Sequence, residues 1–370
     1  MKRSAGGRRP APLDVFPGRH RVSPVPAPEI TNSTPFRYEQ VWVADEQGAH
    51  VLVSIVKATY EIQGQRLAVA AEQAPLDLLG TFWGDPAQSS YKYEPETAFT
   101  KLATDVVLIG HARPPTVGAT TADVGLKVGS LQKIARVFGD RYWVKSGGSI
   151  VASKPQPIER MPLIYERAFG GWDKSSKDER DWRCDARNPV GRGFGNPLRY
   201  VEEGRVPLAN IEDPNHPIRY GETSPPAGFG FLSPHWQPRA KLAGTYDAAW
   251  DKERKPLLPK DFDRRFFNAA SPGLIAPGYL RGNEDIVVVN AAAVTPLRFN
   301  LPGVPAPICR VVLRKGELEQ TTSLDTVIIN TDEMRVFLLW RAFSIVRNGP
   351  HDVVATEVAT DRKLLQPANA

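Results

Sequence analysis

Two glycine-rich segments have the spacing that first suggests chemistry. Residues 187–197 read RNPVGRGFGNP, and residues 225–234 read PPAGFGFLSP. Alternating glycines can cradle a phosphate when a strand leads into the loop and a helix follows it, because backbone amides and the helix dipole then converge on the anion. Here Pro189 precedes the glycines and Pro197 follows them, without an apolar strand or a Gly-Lys-Ser/Thr ending. We therefore predict a structural loop and not a nucleotide site.

The glycines of this loop and their polar neighbours are predicted to shape the backbone. Glycine adopts positive φ and permits close packing beside an aromatic ring such as that of Phe194. Arginine, asparagine and aspartate side chains can satisfy orphan backbone groups in irregular structure. The predicted structural residues are Arg187, Asn188, Gly191, Gly193, Gly195, Asp261 and Asp263.

The sequence lacks the usual spacings of metal ligands and nucleophiles. The six histidines include no pair at metal-ligand spacing, and none adjoins a cysteine. The two cysteines, Cys184 and Cys309, are too few for a disulfide framework or a metal site. A Gly-x-Ser-x-Gly elbow is also missing. We therefore expect no metal, no cofactor and no catalytic residues, and the chain is not expected to be an enzyme.

Carboxylates provide the one enzyme alternative. In residues 155–282 they lie among tryptophans and tyrosines, a mixture that suits a carbohydrate-active enzyme or a carbohydrate-binding module. Arginines are interspersed with these acids, which favours ion pairs that hold irregular backbone. Both interpretations stay open at this point. The acids are Glu166, Asp173, Asp181, Asp185, Asp247, Asp251, Asp261 and Asp263.

The same middle region has the composition of a protein-binding surface. Residues 155–282 hold 16 of the 34 prolines and 16 of the 33 aromatic residues, which predicts an ordered but irregular layer. Trp, Tyr and Arg dominate protein–protein hot spots, and binding surfaces usually lie on loops carried by a rigid scaffold. The partner-binding candidates are Trp172, Trp236, Trp250, Arg167 and Phe229.

Strand-like segments flank this region on both sides. Residues 50–62 and 104–112 have strand composition before it, and residues 283–291 and 308–316 have it afterwards. Two hairpins are expected, one over 133–144 with a Gly139-Asp140 turn and one joining 324–332 to 334–343. Since no strand–helix alternation occurs, we predict a mainly β fold with an antiparallel, sandwich-like core.

A few short helices are expected in the irregular middle. The segments 162–169, 245–254 and 261–270 could form helical turns. Thr245 and Asp261 stand where N-caps are expected for the last two.

The expected organisation is a single domain between a flexible leader and a short tail. Residues 1–35 read as a flexible leader rich in proline and arginine, and residues 351–370 as a short C-terminal tail. The domain covers 36–350, with strand-rich parts at 36–154 and 283–347 around a loop-rich insert at 155–282.

Charge and hydropathy exclude several classes of partner. The first 30 residues contain six basic and two acidic side chains, so most of the formal charge of +6 lies there and the body is nearly neutral. Such a body lacks the electrostatic footprint of a nucleic-acid binder. The sequence has neither a secretory h-region nor an apolar run long enough for a bilayer. We expect no nucleic-acid partner, no membrane insertion and a location in the bacterial cytoplasm.

An ordered series of motifs resembles a known bacterial family. It includes VKATYEI (56–62), MPLIYERAFGGWD (161–173), RNPVGRGF (187–194), WQPRAKLAGTYDAAW (236–250) and LDTVIINTDEMRVFLLWR (324–341). The series resembles the accessory domain of type VI secretion systems that was long catalogued as a domain of unknown function. The resemblance spans roughly residues 36–345.

The resemblance implies a function in effector delivery. Proteins of this family are encoded beside spike proteins of the VgrG and PAAR types and beside toxic effectors. The expected function is that of an adaptor or chaperone, which protects an effector segment in a preformed groove and assists its loading onto the spike. The family has no agreed catalytic residues, so none is carried over to this chain.

Overall fold

Apolar and alternating segments of the sequence form most of the strands in the computed structural model, which describes residues 28–195 and 206–365. The first half of the chain contains β1 (Glu29–Asn32), β2 (Arg37–Ala44), β3 (His50–Gln63), β4 (Arg66–Val69), β5 (Thr81–Phe82), β6 (Tyr91–Tyr93), β7 (Asp105–Ile109), β8 (His111–Ala112), β9 (Thr121–Val128), β10 (Leu131–Phe138), β11 (Tyr142–Ser146), β12 (Ser149–Ala152), β13 (Met161–Pro162), β14 (Phe169–Gly170), β15 (Trp172–Asp173), β16 (Arg183–Cys184) and β17 (Arg192–Gly193).

The second half contains further strands and most of the helical segments. The strands are β18 (Val206–Pro207), β19 (Ile211–Glu212), β20 (Asp285–Val289), β21 (Leu297–Asn300), β22 (Ile308–Leu313), β23 (Glu317–Thr321), β24 (Ser323–Asn330), β25 (Arg335–Ile345) and β26 (Val353–Ala359). Among the described residues the one α-helix is α1 (Ala248–Glu253). Short 3-10 helices span Tyr165–Arg167, Glu179–Asp181, Arg239–Ala243, Arg264–Phe267, Gly349–Asp352 and Arg362–Leu364. The prediction of a mainly β fold with a few short helices is confirmed.

A six-stranded sheet forms the centre of the molecule. Its order is β2-β3-β25-β24-β7, with β4 paired to β3, and only β24 and β7 run parallel. The predicted hairpin of 324–332 with 334–343 is present as β24 and β25. Strand β3 is buried from Val51 to Tyr60 because both faces of the sheet are covered, which explains its continuous apolar run.

A five-stranded antiparallel sheet packs against one face of the first. Its order is β19-β10-β9-β20-β21. Along β9 the buried and exposed residues alternate, with Val124 and Leu126 in the core and Asp123 and Lys127 on the solvent side. Both sheets contribute to one hydrophobic core, so the two pack as a sandwich.

The hairpin predicted over 133–144 is wrong. Strand β10 pairs with β9 through a turn at Gly129, where φ is +56°, whereas β11 belongs to a separate three-stranded sheet with β12 and β18. At Gly139 the chain leaves the five-stranded sheet for the three-stranded sheet. A Cβ on this residue would collide with the carbonyl oxygen of Gln156. The glycine therefore permits a close chain crossing and not a tight turn.

A four-stranded sheet contains both ends of the described chain. Its order is β1-β26-β22-β23, and β1 runs parallel to β26. Strand β26 lies inside the segment expected as a C-terminal tail, and β1 lies inside the expected leader. The tail boundary at 351 is therefore wrong, because Val353, Thr356 and Val358 are buried against this sheet.

The loop-rich middle seals an edge of the six-stranded sheet. Strand β7 would otherwise expose its backbone, but Val106 N donates to Leu274 O at 2.9 Å and Leu108 N donates to Phe229 O at 3.1 Å. An isolated bridge also joins Asp105 to Ile275. Paired edges resist unwanted strand addition. Among the described residues, no helix is both long and apolar enough to cross a membrane.

Candidate functional site

The first glycine-rich segment is held by its polar residues. Arg187 forms a bidentate pair with Asp185, at 2.8 Å from Nε and 2.6 Å from Nη2, and its Nη2 also donates to Ser224 O at 3.0 Å. Asn188 is fully buried, and its Nδ2 donates to Tyr165 O at 2.8 Å. These bonds join the loop to the residues that precede the second glycine-rich segment.

The amides of this loop bond to protein carbonyls. Arg192 N donates to Ala168 O at 3.0 Å, and Phe194 N donates to Gly170 O at 2.9 Å. A Cβ on Gly191 would meet Ala168 O at 2.8 Å, so the close approach of the two chains requires glycine there. Gly193 and Gly195 have positive φ. Amides used in this way are not available to a phosphate.

A pocket lies where the two glycine-rich segments meet the five-stranded sheet. We name it the Lys133 pocket, and its volume is about 380 Å³. Strand β10 supplies the basic side chain, and the irregular layer supplies the phenol and most of the apolar wall. The residues that define it are Lys133, Ile134, Tyr165, Pro225, Pro226 and Pro272.

Lys133 is the distinctive charge of this pocket. Its Nζ donates to Ser271 Oγ at 2.6 Å and to Pro272 O at 2.7 Å, and it lies 5.9 Å from the ring centroid of Phe229. Among the described residues, no carboxylate oxygen lies within ion-pair distance of this nitrogen. Burial lowers the pKa of Lys133 to about 8, because the charged form loses hydration, and the field of Asp213 opposes the shift only in part.

Two of the predicted partner-binding residues are enclosed next to residues of this pocket. Phe229 is 0% exposed and Trp236 is 6% exposed. The Trp236 ring meets the buried Tyr165 ring edge-on, with 5.4 Å between the centroids. Gly228 packs so closely that a Cβ would lie 2.9 Å from the same tyrosine ring. Neither Phe229 nor Trp236 can contact a partner directly, since tertiary packing encloses both, so this part of the prediction is corrected.

Trp172 has the exposure expected of a binding residue. It is 50% exposed and borders a larger cavity of about 500 Å³ together with Val190, Arg192 and Phe194. The ammonium of Lys174 lies 5.8 Å from the centroid of its ring. A half-exposed tryptophan beside a recess can pack against a partner.

The other two candidates make separate contacts. Arg167 Nη1 donates to Asp140 Oδ1 at 3.2 Å and to Asn210 Oδ1 at 3.3 Å. It therefore joins the middle region to the strand-rich parts of the chain, 36–154 and 283–347, which we call the strand frame. Trp250 lies in α1, and its Nε1 donates to Leu257 O at 2.8 Å. The five predicted residues therefore do not form one cluster.

The acids of the DFDRR stretch hold backbone, and the expected N-caps are shifted. Asp247 caps α1 by accepting from Trp250 N at 2.8 Å, and Asp263 caps the 3-10 helix Arg264–Phe267. Asp261 accepts from Thr245 N at 2.9 Å and from Thr245 Oγ1 at 2.7 Å. Thr245 and Asp261 are thus bonded to each other and cap neither helix. These bonds lower the pKa of Asp261.

A buried group of alternating charges joins the middle region to the frame, and sequence reasoning missed it. We name it the buried ion network. Lys101 Nζ lies 2.7 Å from Asp105 Oδ2 and 3.8 Å from Glu94 Oε2, and Glu94 also pairs with Arg239 of the middle region. Burial raises the pKa of Glu94. Its eight members are Lys57, Glu94, Glu96, Lys101, Asp105, Arg239, Asp325 and Arg341.

The network continues across the six-stranded sheet. Arg341 pairs with Asp325, and its Nη2 donates to Glu96 O at 2.9 Å. Glu96 in turn lies 2.7 Å from the Nζ of Lys57. Four of the eight charges lie within residues 94–105, but Lys57, Arg239, Asp325 and Arg341 come from distant parts of the chain, so local spacing could not have identified the whole network. Balanced pairing allows these charges to be buried together.

The fold and the site define a β-rich protein with a preformed pocket in an irregular layer. Residues 47–341 match the model of a family described as "Uncharacterized protein conserved in bacteria (DUF2169)". The match covers most of the 370 residues, so the chain belongs to this family. No curated protein and no solved structure matches the chain. The bacterial part of the resemblance is confirmed, and its link to type VI secretion stays a prediction.

Proposed function

We propose that this protein is a non-enzymatic adaptor of bacterial type VI secretion. It binds a secreted effector in the cytoplasm and assists its loading onto a spike protein of the VgrG or PAAR type. The resemblance of the ordered motifs supports the secretion pathway, and membership of a bacterial family is consistent with it.

The observation that carries the binding function is the Lys133 pocket. Its volume of about 380 Å³ can receive side chains of a partner segment. Its walls come from β10, from both glycine-rich segments and from the neighbouring loops of the middle region. Trp172 offers a second point of contact on the same layer.

The proposed mechanism depends on rigidity. The edge contacts of β7 and the buried ion network fix the irregular layer to the strand frame before any partner arrives. A preformed surface loses little conformational entropy on binding, so a modest contact area can shield an aggregation-prone effector segment. The same non-covalent contacts can then be exchanged for contacts with the spike.

Co-expression with the effector encoded beside this protein tests the proposal. We expect a higher soluble yield of the effector and a complex that co-elutes in size-exclusion chromatography. If the effector is equally soluble alone and never co-elutes, the adaptor function is wrong.

A surface variant locates the contact. Trp172→Ala should weaken effector binding at least tenfold, while the free energy of unfolding changes by about 1 kcal/mol or less. Val117→Ala is the matched control, since Val117 is a fully exposed apolar residue outside the middle region. Equal binding by both variants in isothermal titration calorimetry would remove Trp172 from the interface.

A further inference from the structure

We propose that the Lys133 pocket recognises an acidic side chain together with an apolar side chain two residues further along, on the same face of an extended segment of the partner protein. The inference rests on the proposed function and specifies what the adaptor binds. It assigns the carboxylate to the ammonium of Lys133 and the apolar side chain to the proline wall.

Among the residues that the structure describes, the charged groups around the pocket pair with one another and leave Lys133 without an ion-pair partner. Arg187 is neutralised by its bidentate contact with Asp185. Asp213 also lines the pocket, but its carboxylate accepts from Asn215 N at 2.9 Å and lies 3.0 Å from His216 Nδ1. Within the described residues, Lys133 donates to two neutral oxygens, so its ammonium keeps one N–H for an incoming acceptor. A carboxylate would form a charge-assisted hydrogen bond with the ammonium and so compensate for the water molecules that burial removes from it.

The remaining wall favours an amphipathic occupant. Pro225, Pro226 and Pro272 present apolar rings and have no N–H groups. They therefore provide no donor that would compete with Lys133 for a carboxylate. The Oε1 atom of Gln237, which also lines the pocket, is buried and has no hydrogen-bond partner among the described residues.

The surroundings of the pocket indicate a peptide segment. Ile134 is 44% exposed and forms the shared wall of the Lys133 pocket and a second recess of about 320 Å³. That recess lies over Gly125 on the outer face of the five-stranded sheet and is flanked by Val287 and Val289. A segment in extended conformation can cross Ile134 and place two side chains that are two residues apart, and so on the same face, in the two recesses. A small molecule would fill only one.

Two fluorescein-labelled, amidated peptides test the charge requirement. The first is Ser-Gly-Glu-Leu-Phe-Gly and the second is Ser-Gly-Gln-Leu-Phe-Gly. In fluorescence polarisation we expect the glutamate peptide to bind the wild-type protein at least tenfold more tightly than the glutamine peptide. Equal affinity, or no saturable binding of the glutamate peptide up to 1 mM, would overturn the inference.

A third peptide separates an acidic side chain from a chain end. Ser-Gly-Gln-Leu-Phe with a free carboxyl terminus has no acidic side chain and carries its peptide carboxylate at the end of the chain. We expect it to bind more weakly than the glutamate peptide, and tighter binding would overturn the assignment to a side chain.

Variants assign the preference to Lys133. Lys133→Met should abolish the preference for glutamate, and Lys133→Arg should keep part of it. Lys145→Met is the matched control, because it removes the same charge from an exposed position on β11. If the preference survives in Lys133→Met, the assignment is wrong.

A measurement on the wild-type protein avoids any folding defect of the variants. Acetylation by sulfo-N-hydroxysuccinimide acetate, followed for each lysine by mass spectrometry, should be slowed severalfold at Lys133 by the glutamate peptide and unchanged at Lys145. Unaltered acetylation at Lys133 would contradict the proposal. Wild-type protein that co-elutes with the effector but shows no glutamate preference would contradict only this inference, while absence of co-elution would contradict the proposed function.

Discussion

The strand frame and the loop-rich middle differ in what holds them together. In the frame, β3 and β25 pair along their length and bury mostly apolar side chains. In the middle, Asn188, Arg187 and Asp261 hold irregular backbone through side-chain hydrogen bonds. In the frame, strand pairing satisfies most backbone groups, whereas a layer without ladders depends on side chains to satisfy them.

The two regions meet in the buried ion network, and its disruption should have the largest effect. Arg341→Leu leaves Asp325 buried without its main partner, so we expect the free energy of unfolding to fall by about 3–5 kcal/mol. Urea denaturation measures this loss. The double variant Arg341→Leu/Asp325→Leu should recover part of it, and a single variant as stable as the wild type would show that the network contributes nothing.

A truncation in the frame gives the apolar counterpart. Ile328 is 2% exposed on β24, and Ile328→Ala should cost about 2–5 kcal/mol because it opens a cavity in the shared core. Val354→Ala on β26 is the control, since Val354 is 50% exposed and should change stability little. Equal losses in the two variants would contradict the core assignment.

A glycine in the middle tests the dependence of that layer on backbone conformation. Gly193 has φ +94° and lies against the ring of Phe169, so Gly193→Val should destabilise by about 1–3 kcal/mol. The loss should appear as a lower melting temperature. Gly278→Ala is the control, because Gly278 has no left-handed φ and no atom within 4 Å of an added Cβ. A fully stable Gly193→Val protein would show that the loop tolerates another conformation.

The pH dependence of stability provides the smallest and most specific test. Because the pKa of Lys133 is lowered to about 8, the unfolded chain binds a proton between pH 8 and about 10.5 that the folded chain lacks. The contribution of Lys133 to stability should therefore rise with pH across this interval and be lost as the pH falls through 8. Urea denaturation at several pH values should show the free energy of unfolding of the wild type rising relative to that of Lys133→Met as the pH increases. A difference between the two proteins that does not change with pH would contradict the lowered pKa.

Local patterns in the sequence predicted the frame well. The β-branched run of residues 50–62 and the short polar turn before 334–343 correctly indicated strands and a hairpin. The hairpin over 133–144 failed because Gly139 marks a crossing between sheets, which composition cannot distinguish from a turn. The tail boundary failed because β26 is short and pairs with residues distant in the chain.

The candidate site was less predictable. The sequence singled out both glycine-rich segments and Trp172, but it could not separate this exposed tryptophan from the enclosed Trp236. Lys133 was missed because it lies in a strand like any other surface lysine, and only the approach of Ser271 and Pro272 makes it special.

The sequence by itself determined the mainly β class, the irregular aromatic middle and the structural character of the glycine loop, because these depend on local conformational preferences. The tertiary structure decided which rings are buried, where the eight network charges pair and that Lys133 has no carboxylate partner in the part of the chain that the structure describes. Burial and charge pairing depend on contacts between distant segments, and such contacts exist only once the chain has folded.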